Sequence, residues 1–170
     1  MHILRRLPVR EAPDALDVGG EAIPVRAYQI IVWVSLSVED TLAADASRFP
    51  AILDTGHGHN FSIQERQLVH WAGVIPGGCA KLGAILVNRQ EVPLQRANLW
   101  IHRNRPGTAD LLPNPVRLAI PEGISVYPAS ALGPPRLPLL GLRGLVRNQM
   151  RLVVEGAWGS LSRKPATRAP

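Results

Sequence analysis

A single carboxylate in this chain stands in a setting that favours chemistry. Asp54 follows the apolar run of residues 49–53, and Thr55 and Gly56 come directly after it. The glycine lets the backbone pass close to whatever lies opposite, because it carries no side chain. Asp-Thr-Gly alone is a weak signal whose simplest explanation is a surface turn, so its meaning depends on the surrounding elements.

Two histidines follow this turn, with one glycine between them. His57 and His59 would point to the same side of an extended segment, and imidazole nitrogens are common metal ligands. A metal-dependent hydrolase that uses this pair is therefore one alternative. The other histidines are too dispersed to extend the pair, and the single cysteine, Cys79, provides no cysteine-based zinc site. We predict neither a metal nor a cofactor, and interpret the pair as part of a polar loop.

Prolines and glycines divide the chain into short apolar runs, which is typical of an all-β domain. The 170 residues include 16 prolines and 15 glycines. Residues 27–38 alternate between an apolar and a mixed face over a length that predicts a strand. Residues 49–53 and 61–63 predict two more strands, so the carboxylate lies between two strands of the expected sheet.

The second half of the chain predicts a hairpin followed by short strands. The hairpin has arms at residues 82–87 and 91–101 around a turn at Asn88-Arg89-Gln90. Pro93 cannot donate a backbone hydrogen bond, which indicates that the return arm is an edge or partly unpaired. Further strands are predicted at residues 116–120, 124–127, 137–140 and 150–155, and short helices at residues 64–71 and 142–149.

The bulk properties predict one domain without nucleic-acid or membrane partners. The net charge is +6, but the arginines are spread along the chain without a basic helix or interleaved aromatic residues. The N-terminus lacks the apolar core of a secretory signal, and the most apolar run, residues 30–34, is too short to cross a bilayer. We expect a cytoplasmic protein with an irregular arm at residues 1–25, one domain at 26–157 and a disordered tail at 158–170.

Three features follow one another in a characteristic order. Asp54-Thr55-Gly56 ends a strand, a hairpin turn comes at residues 88–90, and Leu139-Leu140-Gly141 precedes a short helix and a last strand. This order resembles the retropepsin-like (retroviral-type) aspartic proteases over roughly residues 26–156. The resemblance implies a closed β-barrel of the acid-protease fold with one short C-terminal helix. In that family the apolar pair and its glycine pack behind the catalytic turn.

The resemblance implies catalytic roles for Asp54, Thr55 and Gly56. One Asp-Thr-Gly per chain implies an obligate homodimer in which Asp54 of each subunit meets at the two-fold axis. Two carboxylates held close share one proton, so one acts as general base on a water while the other donates to the peptide carbonyl. The Thr55 hydroxyl would bridge the subunits, and Gly56 would let backbone N–H groups reach the carboxylates.

The resemblance also implies where a peptide substrate would bind. The hairpin would close over an extended peptide, which would pair with protein backbone as an added strand does. The implied substrate-binding residues are His57, Gly58, Val87, Asn88, Arg89 and Gln90. Ile85, Val87 and Phe61 are expected to form apolar walls, which predicts apolar residues beside the scissile bond.

Two positions depart from the pattern of the family. His57 stands where family members usually carry Ala or Ser, so its ring is expected to narrow the cleft. Arg143 matches only loosely the residues that usually follow the apolar pair and glycine. A non-catalytic module that uses this fold for dimerisation or peptide binding is the second alternative, with Asp54 as a mere turn residue.

Overall fold

Strands make up most of the regular structure, so the all-β prediction is confirmed. A computed structural model describes residues 1–128 and 136–164. The strands are β1 His2–Pro8, β2 Asp14–Val18, β3 Glu21–Val25, β4 Ile30–Ser37, β5 Phe49–Asp54, β6 Phe61–Gln64, β7 Lys81–Val87, β8 Gln90–Gln95, β9 Asn98–Ile101, β10 Val116–Leu118, β11 Ile124–Tyr127, β12 Leu139–Gly141, β13 Met150–Glu155 and β14 Trp158–Arg163. The short helices α1 Glu65–His70 and α2 Leu142–Arg147 and a 3₁₀ turn at Pro76–Gly78 complete the described structure.

One large sheet carries the candidate carboxylate near its middle. Its strand order is β10-β9-β4-β5-β12-β6-β11-β8-β7, beside a three-stranded sheet β1-β14-β13 and a hairpin β2-β3. Strand β12 is parallel to β5 and antiparallel to β6, so it lies between the two strands that flank the candidate turn. The pairing of Gly141 with Asp54 places the end of β12 directly beside the carboxylate.

The large sheet curves strongly but does not close into the predicted barrel. Strands β10 and β7 end it, and no ladder joins them in the described residues. Only Arg96 and Ala97 separate β8 from β9, although these strands lie near opposite ends of the sheet. The chain between Gln95 and Asn98 can span at most about 11 Å, so the two ends of the sheet must approach each other.

The core forms where the inner faces of these strands meet. Strand β4 buries Val32, Val34 and Leu36, as its alternating pattern predicts. Strands β5 and β6 contribute Phe49 and Phe61, whose ring centroids are 6.5 Å apart in an edge-to-face arrangement. Burial of each such side chain stabilises the fold by about 2–3 kcal/mol, which holds the frame on which Asp54 stands.

The two helices are short and lie close to the predicted positions. Helix α1 begins with a capping box, in which the Gln64 backbone N–H donates to Gln67 Oε1 at 3.2 Å. Helix α2 follows Gly141 immediately and buries Leu145, while Leu142 and Val146 on the same side are exposed. No helix in the described part of the chain is long and apolar enough to cross a membrane.

Both ends of the chain are more regular than the sequence predicts. The arm at residues 1–25, predicted to be irregular, contains β1, β2 and β3, and the tail predicted to be disordered begins with β14. Strand β1 pairs with β14, and both bury apolar side chains, among them Ile3 and Leu161. The two strands are far apart in sequence, so no local pattern reveals their pairing. Residues 165–170 of that tail, and residues 129–135 of the proline-rich stretch, lie outside the described residues.

The return arm of the predicted hairpin is also divided in two. Residues 91–101 form most of β8 and all of β9, which pair with different neighbours. Strand β8 pairs with β7 and β11, whereas β9 pairs with β4 and β10. The Arg96 backbone N–H donates to the Ala80 carbonyl at 2.8 Å, which closes the hairpin before the chain crosses to the other end of the sheet.

Candidate active site

Asp54 ends β5 on a tight turn that orients its carboxylate. Asp54 Oδ1 accepts a hydrogen bond from the Gly56 backbone N–H at 2.9 Å, and the Asp54 carbonyl accepts one from the His57 N–H at 3.2 Å. A Cβ at position 56 would lie 3.3 Å from Asp54 Oδ1, so glycine gives the carboxylate its space. Asp54 is half-buried, while Thr55 and Gly56 are exposed. The turn therefore presents one fixed carboxylate at the surface of the single chain.

Gly141 supports this turn from behind through its backbone. Its N–H donates to the Asn60 carbonyl at 3.0 Å, and the N–H of Leu142 donates to the His57 carbonyl at 2.8 Å. A Cβ at position 141 would lie 2.0 Å from the His59 carbonyl oxygen and 2.6 Å from that of His57. These distances leave no room for any side chain, so the glycine after the apolar pair of β12 is a steric requirement.

Asn60 anchors the C-terminal end of the segment that follows Asp54. Its Nδ2 donates to Glu122 Oε2 at 3.0 Å and, at 3.4 Å, to the carbonyl of Gly123. The Asn60 hydrogen bond, the Glu122 backbone N–H and Arg147 together lower the pKa of the Glu122 carboxyl to about 2. The turn segment, defined as residues 54–60, is thus held to β12 and to the turn before β11.

The His57 ring contacts Ser62 and His59. Its Nε2 lies 2.6 Å from Ser62 Oγ, and its ring packs edge-to-face on His59 with centroids 5.3 Å apart. Burial lowers the pKa of His57, helped by the charges of His59 and Arg136 and opposed by Asp54. The lowered pKa favours the neutral ring, and its contacts with Ser62 and His59 brace the turn segment.

The same geometry bears on the metal alternative. The two imidazoles are close to each other, and burial, together with the charge of Arg143, lowers the pKa of His59, which favours the neutral form that can bind a metal. No group of three or more His, Cys, Asp or Glu side chains that could hold a metal ion occurs in the described residues. Within one chain the pair therefore gains no third protein ligand there.

A cavity of about 1050 Å³ opens beside the turn segment. Of the predicted site residues, Asp54, Thr55, Val87, Asn88 and Gln90 line it, whereas Gly56, His57, Gly58 and Arg89 do not. Its apolar lining is supplied by several strands and the segments between them: Ile30, Ile52, Leu53, Ile63, Val87, Leu137, Leu139, Leu152 and Val154. The structure thus brings the carboxylate and the hairpin tip to one space.

Two of the three predicted wall residues are not in this lining. Phe61 is fully buried against Phe49 in the core, so the expectation that it forms a cleft wall is wrong. Ile85 also does not line the cavity, and Val87 does. All three were predicted from their apolar character and their closeness in sequence to the turn and the hairpin, and the sequence does not show which face of β6 or β7 meets the cavity.

The hairpin tip extends beyond the part of β8 that pairs with β11, and Asn88 of the tip lines this cavity. Asn88 and Arg89 form a two-residue turn with φ values of 49° and 65°, the left-handed conformation that such hairpin turns require. Strand β11 pairs with β8 only at Leu94 and Gln95, so residues 90–93 pair with β7 alone. Pro93 lies in this part, where the missing donor is harmless, which confirms the prediction of a partly unpaired arm.

Sequence reasoning missed several residues of the cavity. Arg26, Tyr28 and Gln29 come from the segment before β4, and Arg136 comes from the proline-rich stretch before β12. Tyr28 has φ of 62° and is 74% exposed, an unusual conformation for an aromatic residue. No local pattern marks these residues, because pairing of β4 and β12 with β5 brings them to the site.

Comparison of the chain with protein-family models, curated proteins and solved structures found no match. The functional interpretation therefore depends on the turn segment, its support by Gly141 and the cavity that it shares with the hairpin tip.

Proposed function

We propose that the protein is an aspartic endopeptidase that acts as a homodimer and hydrolyses peptide bonds with water activated between Asp54 of each subunit. The observation that carries the proposal is the setting of Asp54. The carboxylate stands on a glycine turn, the backbone of Gly141 supports that turn, and both the carboxylate and the hairpin tip face one cavity.

The chemistry needs two carboxylates that share one proton. The ionised Asp54 takes a proton from the water, whose oxygen attacks the peptide carbonyl carbon, while the protonated Asp54 of the other subunit donates to the carbonyl oxygen. The tetrahedral intermediate collapses as the C–N bond breaks, and the amine nitrogen receives a proton from the pair. Two carboxylates at close range cannot both ionise, which supplies one acid and one base at the same pH.

A second copy of the chain is the natural source of the second carboxylate. Asp54 is the single carboxylate in the described lining of the cavity. Thr55 and Gly56 are exposed in the isolated chain, although the segment that carries them is held rigidly from behind. An exposed, rigid turn of small residues suits a self-complementary contact across a two-fold axis.

The cavity suits an extended peptide. Its volume of about 1050 Å³ is at the upper end of the range for small-molecule sites, and a dimer would double it. We expect the tip of β7 and β8, which lines the cavity at Val87, Asn88 and Gln90, to cover a bound peptide and to exclude water from the carboxylates.

The test is cleavage of a diverse peptide mixture between pH 4 and 7.5, read by mass spectrometry. Wild-type protein is compared with Asp54→Asn, and the oligomeric state of both is measured by light scattering. We expect cuts from the wild type alone while both proteins remain dimeric. Absence of cleavage by a dimeric wild type would favour the peptide-binding module, and cleavage that survives Asp54→Asn but is lost with a chelator would favour a metal site at His57 and His59.

A further inference from the structure

Two arginines line the cavity that holds Asp54. Arg26 and Arg136 contribute its positive charges, and Asp54 is the only carboxylate among the residues described as lining it. The other polar groups of the wall are amides, hydroxyls and phenols, such as Gln29, Gln64 and Tyr127. The walls around the carboxylate therefore carry a net positive charge.

The arginines lie on opposite sides of the strand that ends at Asp54. Arg26 precedes β4 by four residues and Arg136 precedes β12 by three, and β4 and β12 are the two neighbours of β5. The backbone of each arginine is held by a glutamine. The Arg26 N–H donates to Gln29 Oε1 at 2.8 Å, and the Arg136 carbonyl accepts a hydrogen bond from Nε2 of the buried Gln67.

Neither guanidinium forms an ion pair in the described residues. Four other arginines lie within salt-bridge distance of a carboxylate: Arg10, Arg66, Arg117 and Arg147. Arg26 and Arg136 do not, and both are exposed. The positive charge of Arg136 also reaches the turn segment, where it contributes to the lowered pKa of His57.

We propose that the substrates are acidic peptides, with Asp or Glu side chains on both sides of the scissile bond that pair with Arg26 and Arg136. Apolar side chains of the wall, among them Ile30, Leu139 and Val87, would take the residues next to the bond. Acidic side chains of the substrate, located beyond these apolar substrate residues on each side of the bond, would then each reach one arginine. This inference rests on the proposed function and names the substrate class of that site.

The expected effect follows from the strength of an arginine–carboxylate contact. Both guanidiniums are exposed, and water screens ion pairs at exposed sites, so one pair changes kcat/KM by up to about fivefold. Loss of one arginine from each subunit should therefore lower kcat/KM for acidic peptides roughly fivefold, and should change it less than about twofold for peptides with Gln or Asn in place of Glu or Asp.

The test compares cleavage by wild type, Arg26→Gln, Arg136→Gln and the control Arg96→Gln. Arg96 is exposed and does not line the cavity, so its replacement removes the same charge from elsewhere. A peptide mixture should show Asp and Glu enriched around the cuts of the wild type and of Arg96→Gln. Each cavity variant should weaken this enrichment on both sides of the cut, because the two-fold axis of the dimer repeats each arginine on both sides. Cleavage without acidic enrichment would overturn the inference and leave the proposed function standing.

If no cleavage is seen, a binding measurement separates the acidic-peptide inference from the protease proposal. Fluorescein-labelled pools of Glu-containing peptides and their Gln counterparts are titrated with Asp54→Asn protein, alone and combined with Arg26→Gln or Arg136→Gln. Tighter binding of the Glu pool that depends on the arginines would support the acidic-peptide site even where the protease proposal fails. Equal binding of the two pools, together with no acidic enrichment in any cuts, would overturn it.

Discussion

The turn segment and the hairpin tip face the same cavity but are held in opposite ways. The turn segment receives backbone hydrogen bonds from Gly141 and Leu142 and a side-chain anchor from Asn60 to Glu122. The tip at residues 88 and 89 is held only by the pairing of β7 with the unshared part of β8. Under the proposed function, this difference would put the carboxylate on a rigid support and the cover on an element that can open, which is the division that a peptide-cleaving cleft needs.

The largest loss of stability is expected for a substitution at Gly141, because the support behind the turn segment leaves no room for a side chain. Gly141→Ala would place a methyl group within 2.6 Å of two carbonyl oxygens of the turn segment, so the backbone must shift. We expect a loss of roughly 4 kcal/mol in the free energy of unfolding, at the upper end of single substitutions, measured by urea denaturation. Gly77→Ala is the control, because a Cβ there meets nothing within 4 Å. Equal stability of the two variants would show that Gly141 is not a steric support.

Acid should weaken the part of the large sheet in which β4 pairs with β9. His102 is 2% exposed, and its Nε2 lies 2.9 Å from Ser35 Oγ, whose hydroxyl donates to the Ser47 carbonyl. Nε2 must therefore carry the proton of the neutral ring, and protonation would add a second one at Nδ1, which has no partner in the described residues. Burial, with the nearby charge of Arg48, lowers the pKa of His102 to about 4.

The sign of this effect follows from the lowered pKa. Between pH 6.5 and about 4 the unfolded chain binds the proton and the folded chain does not, so the free energy of unfolding falls as the pH falls. The total loss is roughly 3 kcal/mol, seen in urea denaturation at a series of pH values. His102→Gln should flatten this part of the profile. A wild-type profile that is flat over this range would contradict the assignment.

A smaller effect is expected for the ring that braces the turn segment. His57→Ala removes the contact with Ser62 Oγ and the packing on His59, but it removes no residue of the cavity lining, because His57 itself does not line the cavity. We expect a loss of about 1 kcal/mol in the free energy of unfolding with kcat/KM retained within about threefold. His70→Ala is a suitable control, because His70 is exposed at the end of α1. A large rise in KM without loss of stability would instead place the ring in the cleft.

The smallest effect is expected at the hairpin tip. Arg89 has φ of 65° and does not line the cavity, and glycine adopts this conformation without strain. Arg89→Gly should therefore change the free energy of unfolding by less than about 0.5 kcal/mol, because relief of strain offsets the entropy of the unfolded glycine.

Hydrogen exchange of residues 87–90 should be faster than that of Gly141 and Leu142 in the wild type. Equal protection from hydrogen exchange in the two regions would show that the hairpin tip is held as rigidly as the turn segment.

Local sequence patterns predict the parts of this fold that depend on local contacts. The strand that ends at Asp54, the hairpin turn at residues 88 and 89 and the two short helices all carry their own periodicity or turn chemistry. The sequence also shows the glycine at position 141, although only the structure shows the carbonyl oxygens that exclude a side chain there.

Features that depend on distant pairing could not be predicted in this way. The pairing of β1 with β14 joins the two ends of the chain, and the division of the return arm into β8 and β9 depends on the neighbours that each strand meets. The same holds for Arg26 and Arg136, which reach the cavity only because β4 and β12 flank β5. The candidate carboxylate was thus visible in one tripeptide, whereas its surroundings are set by topology.

The most direct test of a shared carboxylate pair mixes wild-type subunits with Asp54→Asn subunits. After exchange, a mixture of equal amounts leaves about one quarter of the dimers with two aspartates. If the pair acts across the two-fold axis, peptide cleavage falls to about a quarter of the wild-type value and follows the square of the wild-type fraction. Cleavage that falls to one half, in proportion to the wild-type fraction, would show that each subunit works alone and would contradict the account.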